Sequence, residues 1–231
     1  MVLIKGINKT CLIDYEPYTC CVVFLGGCNF RCGYCHNPDL VLNFLNMPTI
    51  PEEEIFSLLD ERKKWLDGVV ITGGEPTMQK DLPNFIAKIK EKGYLVKLDT
   101  NGTNPEMVQE LLDKKLIDYV AMDMKTDFEE YSNVTGVNAN LNRIRESIAA
   151  IKKSGIDYEF RTTVIPGLVG KENIIQIGKI LKGSKKYVIQ NFNPKNDMIE
   201  NRFKNIRAYT KQEIEEMKES VKDCFDVVSV R

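Results

Sequence analysis

Only one histidine and one tryptophan occur in 231 residues, so a histidine cluster cannot carry the chemistry of this chain. No stretch approaches 18 uninterrupted apolar residues, which excludes an ordinary membrane-spanning helix. The opening Met1-Val-Leu-Ile-Lys5 is too short for a signal-peptide core, and a cytoplasmic protein is expected. Net charge is equally scarce. Lys plus Arg number 32 and Asp plus Glu 33, a formal balance of −1 that argues against a basic nucleic-acid surface. No low-complexity segment or linker interrupts the chain, and a single α/β domain of this length buries roughly 70% or more of its unfolded surface.

Cysteine is where the composition becomes specific. Three of the seven fall in the run Phe24-Leu-Gly-Gly-Cys28-Asn-Phe-Arg-Cys32-Gly-Tyr-Cys35-His36-Asn37-Pro38. Thiolates separated by three and then two residues, on a loop loosened by Gly26, Gly27 and Gly33, can converge on one metal centre. A structural zinc site wants a fourth ligand at comparable spacing, yet the next cysteine is Cys224, and His36 adjoins Cys35 too closely to close the same tetrahedron. A [4Fe–4S] cluster held by three cysteines suits the pattern, because it keeps one iron open. The plain alternative is three buried thiols, since free cysteine packs as a small hydrophobe. Cys11, Cys20, Cys21 and Cys224 read as packing residues in a reducing compartment.

This Cys-x3-Cys-x2-Cys pattern resembles the radical S-adenosylmethionine (SAM) superfamily. Cys-x-aromatic-Cys followed by His36-Asn37-Pro38 is similar to its glycyl radical enzyme activases, and the resemblance runs from about Leu12 to Asn193. It implies a [4Fe–4S] cluster on Cys28, Cys32 and Cys35 that cleaves SAM, an anaerobic setting, and an open partial barrel as the fold. Tyr34 is then expected near the adenine, with a loop aromatic as the plain alternative, and His36 in a supporting hydrogen bond.

Hydrophobic pattern leads to the same fold class. Apolar strand candidates end near Leu25, Thr72, Leu98, Met122, Val164 and Asn191, with helical spacing between them at Leu82, Phe85, Ile86, Ile89 and at Leu141, Ile144, Ile148, Ile151. Pro51 before three glutamates, Asn104-Pro105-Glu106 and a capping box at Thr210 and Glu213 mark helix starts. Alternating strands and helices predict a parallel α/β sheet, a partial (β/α)6 barrel open on one side, spanning 17–194. Residues 1–16 are expected as a short β extension, a hairpin turning around Asn8-Lys9 or edge strands. Residues 195–231 should add a helix and a last strand.

In such folds the chemistry gathers at the carboxyl ends of the strands. Gly73-Gly74-Glu75-Pro76 lets backbone approach a ligand and offers a carboxylate to an ammonium group, although an ordinary turn reads the same way. Beside the cysteine loop it resembles the superfamily's motif for the SAM amino group. Asp99-Thr-Asn101-Gly102 is good turn chemistry, and in the activases it helps form a monovalent-cation site near SAM. Asp123 and Lys125 stand two apart on one side of a strand end, a solvated ion pair or, by resemblance, a further cation ligand and a SAM contact. Arg161 is expected to meet the SAM carboxylate or to pair with a nearby acid. Asn193 stands about where pyruvate formate-lyase activases have a histidine, and its amide can hydrogen-bond SAM. Only 32 residues, 36–67, separate Cys35 from Gly68, too few for the ferredoxin-like domain that longer activases carry.

The resemblance therefore implies an oxidoreductase that takes a hydrogen from a glycine of a partner enzyme. The greatest similarity is to activating proteins of anaerobic ribonucleoside-triphosphate reductase, with a flavodoxin- or ferredoxin-type electron donor. The rival readings are a radical SAM enzyme acting on a small molecule, like the 7-carboxy-7-deazaguanine synthases, and a non-catalytic iron–sulfur electron carrier.

Overall fold

The computed structural model describes residues 1–195 and 197–231. Eight strands form one sheet in chain order: β1 (Ile4–Cys11), β2 (Cys20–Leu25), β3 (Gly68–Gly73), β4 (Leu95–Thr100), β5 (Tyr119–Asp123), β6 (Asp157–Val164), β7 (Ser184–Asn191) and β8 (Phe225–Val230). Every pairing from β2 to β8 is parallel, β1 alone is antiparallel, and β1 and β8 do not meet. The sheet is an open barrel. Parallel strands covered on both faces need continuous apolar runs, and Val69-Val-Ile71 and Val120-Ala-Met122 supply them, all wholly buried.

Helices α1 (Glu52–Glu61), α2 (Leu82–Glu91), α3 (Pro105–Asp113), α4 (Tyr131–Thr135), α5 (Leu141–Lys153), α6 (Lys171–Leu181) and α7 (Lys211–Glu219) connect the strands. The capping box at Thr210 and Glu213 and the Asn104 cap form as their sequences predict. Leu82, Phe85, Ile86 and Ile89 of α2 and Ile144, Ile148 and Ile151 of α5 pack the outer face of the sheet into the main core. Period-two alternation sends the other set of strand residues into the barrel.

That inner face is apolar on one side and charged on the other. Cys11, Cys20, Val22 and Val70 cluster with Tyr15 from the loop between β1 and β2, so two of the four extra cysteines line the barrel floor. Tyr15 stands edge-on to Tyr18 and packs on Tyr119, with centroids 5.1 and 5.8 Å apart. Across the barrel, β4 to β6 turn Lys97, Asp99, Asp123, Glu159 and Arg161 toward the interior. The expected turn at Asn8-Lys9 does not occur: both residues lie within β1. Its backbone is committed to β2, with the irregularity in register between Asn8 and Cys11 absorbing the local turn preference.

Glu159 anchors the floor. It is buried, accepts both guanidinium nitrogens of Arg231 at 2.8 and 3.1 Å and the Tyr119 hydroxyl at 3.0 Å, and pairs with Lys186 at 3.0 Å. Burial pushes its carboxyl up, but Lys97 and Arg231 outweigh burial and hold it at about 2. A carboxyl depressed on folding contributes stability above its unfolded range, near 4.5, and loses that contribution as pH falls through about 2. Glu159→Gln is therefore expected to lower neutral stability by roughly 2–4 kcal/mol, because it leaves cations without their buried partner. It should also flatten the acid loss between about pH 4.5 and pH 2. Urea unfolding followed by circular dichroism at several pH values reads both, and parallel pH profiles for the two proteins would refute the assignment.

Candidate functional site

The cysteine loop leaves the end of β2 and is tied down from four directions. Gly27 donates its N–H to Leu40 O at 2.8 Å, Arg31 to Thr135 O at 2.8 Å, and Glu200 to Gly33 O at 2.8 Å. Asn101 Nδ2 reaches Asn29 Oδ1 at 2.9 Å. These bonds join the loop to the π-helical turn Asp39–Asn43, to α4, to the segment before α7 and to the end of β4. Cys28, Cys32 and Cys35 thereby line one cavity of about 280 Å³ at the carboxyl ends of the strands.

The glycines sit where side chains would collide. Gly73 has φ +122°, and a Cβ on Gly74 would fall 2.0 Å from Gly27 O, so the β3 turn can lie against the cysteine loop only as glycine. Glu75 follows with its carboxylate buried. Its Oε1 accepts from Thr77 N at 3.1 Å and Thr100 Oγ1 at 2.7 Å, and its Oε2 from Asn101 N at 2.6 Å. Burial raises its pKa against these donors. Glu75 thus pins the β3 turn to the β4 turn and leaves one oxygen with a single donor beside the cavity.

Below the loop, charges alternate. Arg161 donates Nε to Asp123 Oδ1 at 2.8 Å and Nη1 to Asp99 Oδ2 at 3.3 Å, and Lys125 Nζ reaches Asp123 Oδ2 at 3.1 Å. Burial alone would raise the Asp123 carboxyl, but Arg161 and Lys125 hold it at about 2. The same carboxylate keeps Lys125 firmly protonated against its own burial. Lys125 in turn faces the thiols: burial pushes Cys28 up to about 12 and Cys32 up as well, and Lys125 opposes both shifts. The Phe30 N–H, 3.4 Å from Cys28 Sγ, opposes the first.

Tyr34 and His36 also line the cavity. The Tyr34 hydroxyl is buried and has no hydrogen-bond partner among the described residues, while its ring stands edge-on to Phe203. His36 packs on Phe192, and burial lowers its pKa. Asn193 lies elsewhere. The strand β7 ends at Asn191, Phe192 buries its ring, and the chain turns so that Asn193 is exposed, accepting from Lys195 N at 3.1 Å. Gln190 and Thr163, register partners on β7 and β6, line the cavity instead. Their signal was a polar residue at inward parity in an apolar strand: Thr163 stands two after Arg161.

The donor set fits a three-cysteine iron–sulfur cluster. Three thiols share one cavity with no fourth protein thiol, and the loop is buttressed by backbone bonds rather than by the thiols themselves. Among the described residues no three His, Cys, Asp or Glu side chains form a group that could hold a single metal ion. A free monovalent cation fits less well. Both oxygens of Asp123 and one of Asp99 already face side-chain cations, and Asp99 Oδ1 looks toward Lys97 at 3.5 Å.

The family described as the radical SAM superfamily matches residues 22–182. A Methanocaldococcus jannaschii protein named "Putative glycyl-radical enzyme activating enzyme" is 40% identical over 234 residues, covering 99% of this chain and 95% of its own length. A pyruvate formate-lyase-activating enzyme of Clostridium pasteurianum is 32% identical over 186 residues, 78% of this chain and 76% of that one. Among solved structures, Streptococcus suis SuiB bound to its precursor peptide SuiA superposes with a TM-score of 0.70 at 17% identity. It covers 91% of this chain, which spans about half (48%) of that longer protein, and the likeness is one of fold.

Proposed function

The chain belongs to the radical SAM superfamily, and from that premise we propose that it activates a glycyl radical enzyme, with anaerobic ribonucleoside-triphosphate reductase as the partner. The observation that carries the reading is the meeting of three thiols, a glycine cradle and the Asp123–Lys125–Arg161 ion pairs around one cavity. Cys28, Cys32 and Cys35 would hold a [4Fe–4S] cluster with one iron open. When bound, cluster and SAM together supply a 5′-deoxyadenosyl radical, by one-electron reductive cleavage, that takes the Cα hydrogen of a glycine on the partner.

The residues of the chain position and shield. Gly73 and Gly74 would let backbone approach the amino end of SAM, with Glu75 Oε2 and the Asn101 turn behind them. Arg161 and Lys125 present the positive charge that a SAM carboxylate needs, and Asp123 keeps both in place. Tyr34, whose hydroxyl lacks a partner, and Phe30 wall the cavity beside the thiols, where an adenine would stack and water would be displaced. No group on this chain has to move a proton.

The choice of partner rests on two features. Residues 36–67 are taken up by the Asp39–Asn43 turn and α1, and the end of β7 runs Asn191-Phe-Asn193, with no histidine where, by resemblance, pyruvate formate-lyase activases have one. Anaerobic incubation of the reconstituted protein with SAM, the reductase and a flavodoxin- or ferredoxin-type donor should give a glycyl electron-spin signal on the reductase. No signal with a reductase that another activase does charge would exclude this partner. Saturable binding of a pterin-like compound, with SAM cleaved only in its presence, would favour a small-molecule substrate instead.

A further inference from the structure

Lys97 is the cation that the proposed function does not use. It lies on β4 two residues before Asp99, so both side chains enter the barrel on the same face. A lysine side chain only 2% exposed needs a strong reason to be there, because a buried ammonium must be compensated. Its Nζ lies 3.5 Å from Asp99 Oδ1, against the carbonyl oxygen of Asp14, and 5.7 Å from the Tyr119 ring centroid. Asp99 Oδ1 is buried and accepts no hydrogen bond among the described residues. Lys97 is therefore the cation facing that oxygen.

The five charges form a column from the barrel floor to the cysteine loop: Lys97, Asp99, Arg161, Asp123, Lys125. Each carboxylate stands between two side-chain cations. Glu159 adds its charge to Lys97 from the floor but is itself saturated by Arg231 and Lys186. A further metal cation at Asp99 and Asp123 would have to displace Arg161 or Lys97, or sit in a column whose positive charges already outnumber its negative ones. SAM brings a sulfonium and an ammonium against one carboxylate, which deepens that excess.

We propose that Lys97 is a positioning residue that takes the place of a monovalent metal cation beside SAM, so that this site is complete without sodium or potassium. The ammonium is tethered, so no ion has to be recruited. It holds Asp99, Asp99 and Asp123 hold Arg161, and Arg161 lines the cavity. The inference rests on the SAM reading of the cavity, and the experiment separates the two.

The reconstituted protein is compared in potassium chloride and in tetramethylammonium chloride, whose cation is too bulky to enter an oxygen cage. Two readouts are taken: the melting temperature without SAM and the SAM dissociation constant. For the wild type both should be alike in the two salts, the constant within about twofold. Lys97→Ala removes the tether and leaves room beside Asp99. It should bind SAM about tenfold more weakly in tetramethylammonium and melt lower, with potassium restoring both. Lys97→Met fills the space with an apolar chain and should be impaired in both salts, and Lys97→Arg should remain indifferent to the salt.

A merely structural lysine would not produce ion-selective rescue in the alanine variant alone. A wild type that needs potassium, by SAM affinity or by melting, overturns the proposal and stands even if every variant fails to fold. Salt-independent behaviour of Lys97→Ala equal to wild type overturns it too. A wild type that melts identically in both salts yet never binds SAM leaves Lys97 as the resident cation and removes the SAM reading.

Discussion

Replacing Cys28, Cys32 and Cys35 together by alanine is expected to abolish 5′-deoxyadenosine formation and to leave the protein without bound iron and sulfide. The loss should be complete rather than graded, because the described residues offer no other thiol at the cavity: Cys20 and Cys21 sit in β2, with burial holding each thiol at about 12, and Cys11 closes the floor. The loop should nevertheless keep its path. Its ties to Leu40, Thr135 and Glu200 are backbone bonds, and Arg31 Nη1 bridges the carbonyls of Cys28 and Phe30 at 2.7 Å each. The checks are iron and sulfide content, the visible absorbance of the reconstituted protein and chromatography of the anaerobic reaction with dithionite and SAM. Removing the metal from the wild type with a chelator should reproduce the variant. Product from the triple variant would return the thiols to a packing role.

Arg161→Leu should have the largest effect on the chain itself. The guanidinium is 11% exposed and bonds Asp99 and Asp123 at once, a job for its planar fork. Its loss leaves two neighbouring, largely buried carboxylates, 14% and 26% exposed, each with one lysine only. Breaking a buried pair in this way costs roughly 3–5 kcal/mol, and the remaining Lys97 and Lys125 place the expectation at the lower end. The Asp123 carboxyl, held at about 2 by Arg161 first and Lys125 next against its burial, should titrate higher. SAM affinity should fall by about a hundredfold, about 2.7 kcal/mol, through the lost cation. Arg161→Lys should recover part of the stability and less of the affinity, because a point charge serves one carboxylate well and two poorly. Denaturant unfolding and equilibrium SAM binding measure the two effects. A stable Arg161→Leu protein with unchanged SAM affinity would remove Arg161 from the site.

Much of the site is legible in the sequence. Cys28, Cys32 and Cys35 lie within one short loop, so spacing alone limits where their sulfurs can go. Gly73 and Gly74 are legible for a similar reason: adjacent glycines after an apolar strand mark backbone packed too closely for a Cβ, and the structure puts Gly27 O there. Asp99, Asp123, Lys125 and Arg161 follow from strand parity, since all stand at inward parity, the first three within two residues of a strand end and Arg161 three residues before the end of β6.

What stayed hidden depends on contacts between distant strands. Asn193 is expected at the cavity from the resemblance alone, but Phe192 is buried, Asn193 is exposed, and Gln190 lines the cavity instead. Glu75 looked like a ligand for an ammonium group, and only the approach of Thr100 and Asn101 from β4 shows that most of its carboxylate joins two turns.

By itself, then, the sequence determined the family, the grouping of three cysteines in one short loop and the order of strands and helices, because periodicity and short spacings act over a few residues. Tertiary structure alone decided which charge meets which: Lys97 with Asp99, Arg161 across β4 and β5, and Glu159 with Arg231. The physical reason is register. A shift of one residue between parallel strands would send each of these side chains to the other face, and that register is set by the packing of the whole sheet rather than by any segment of it.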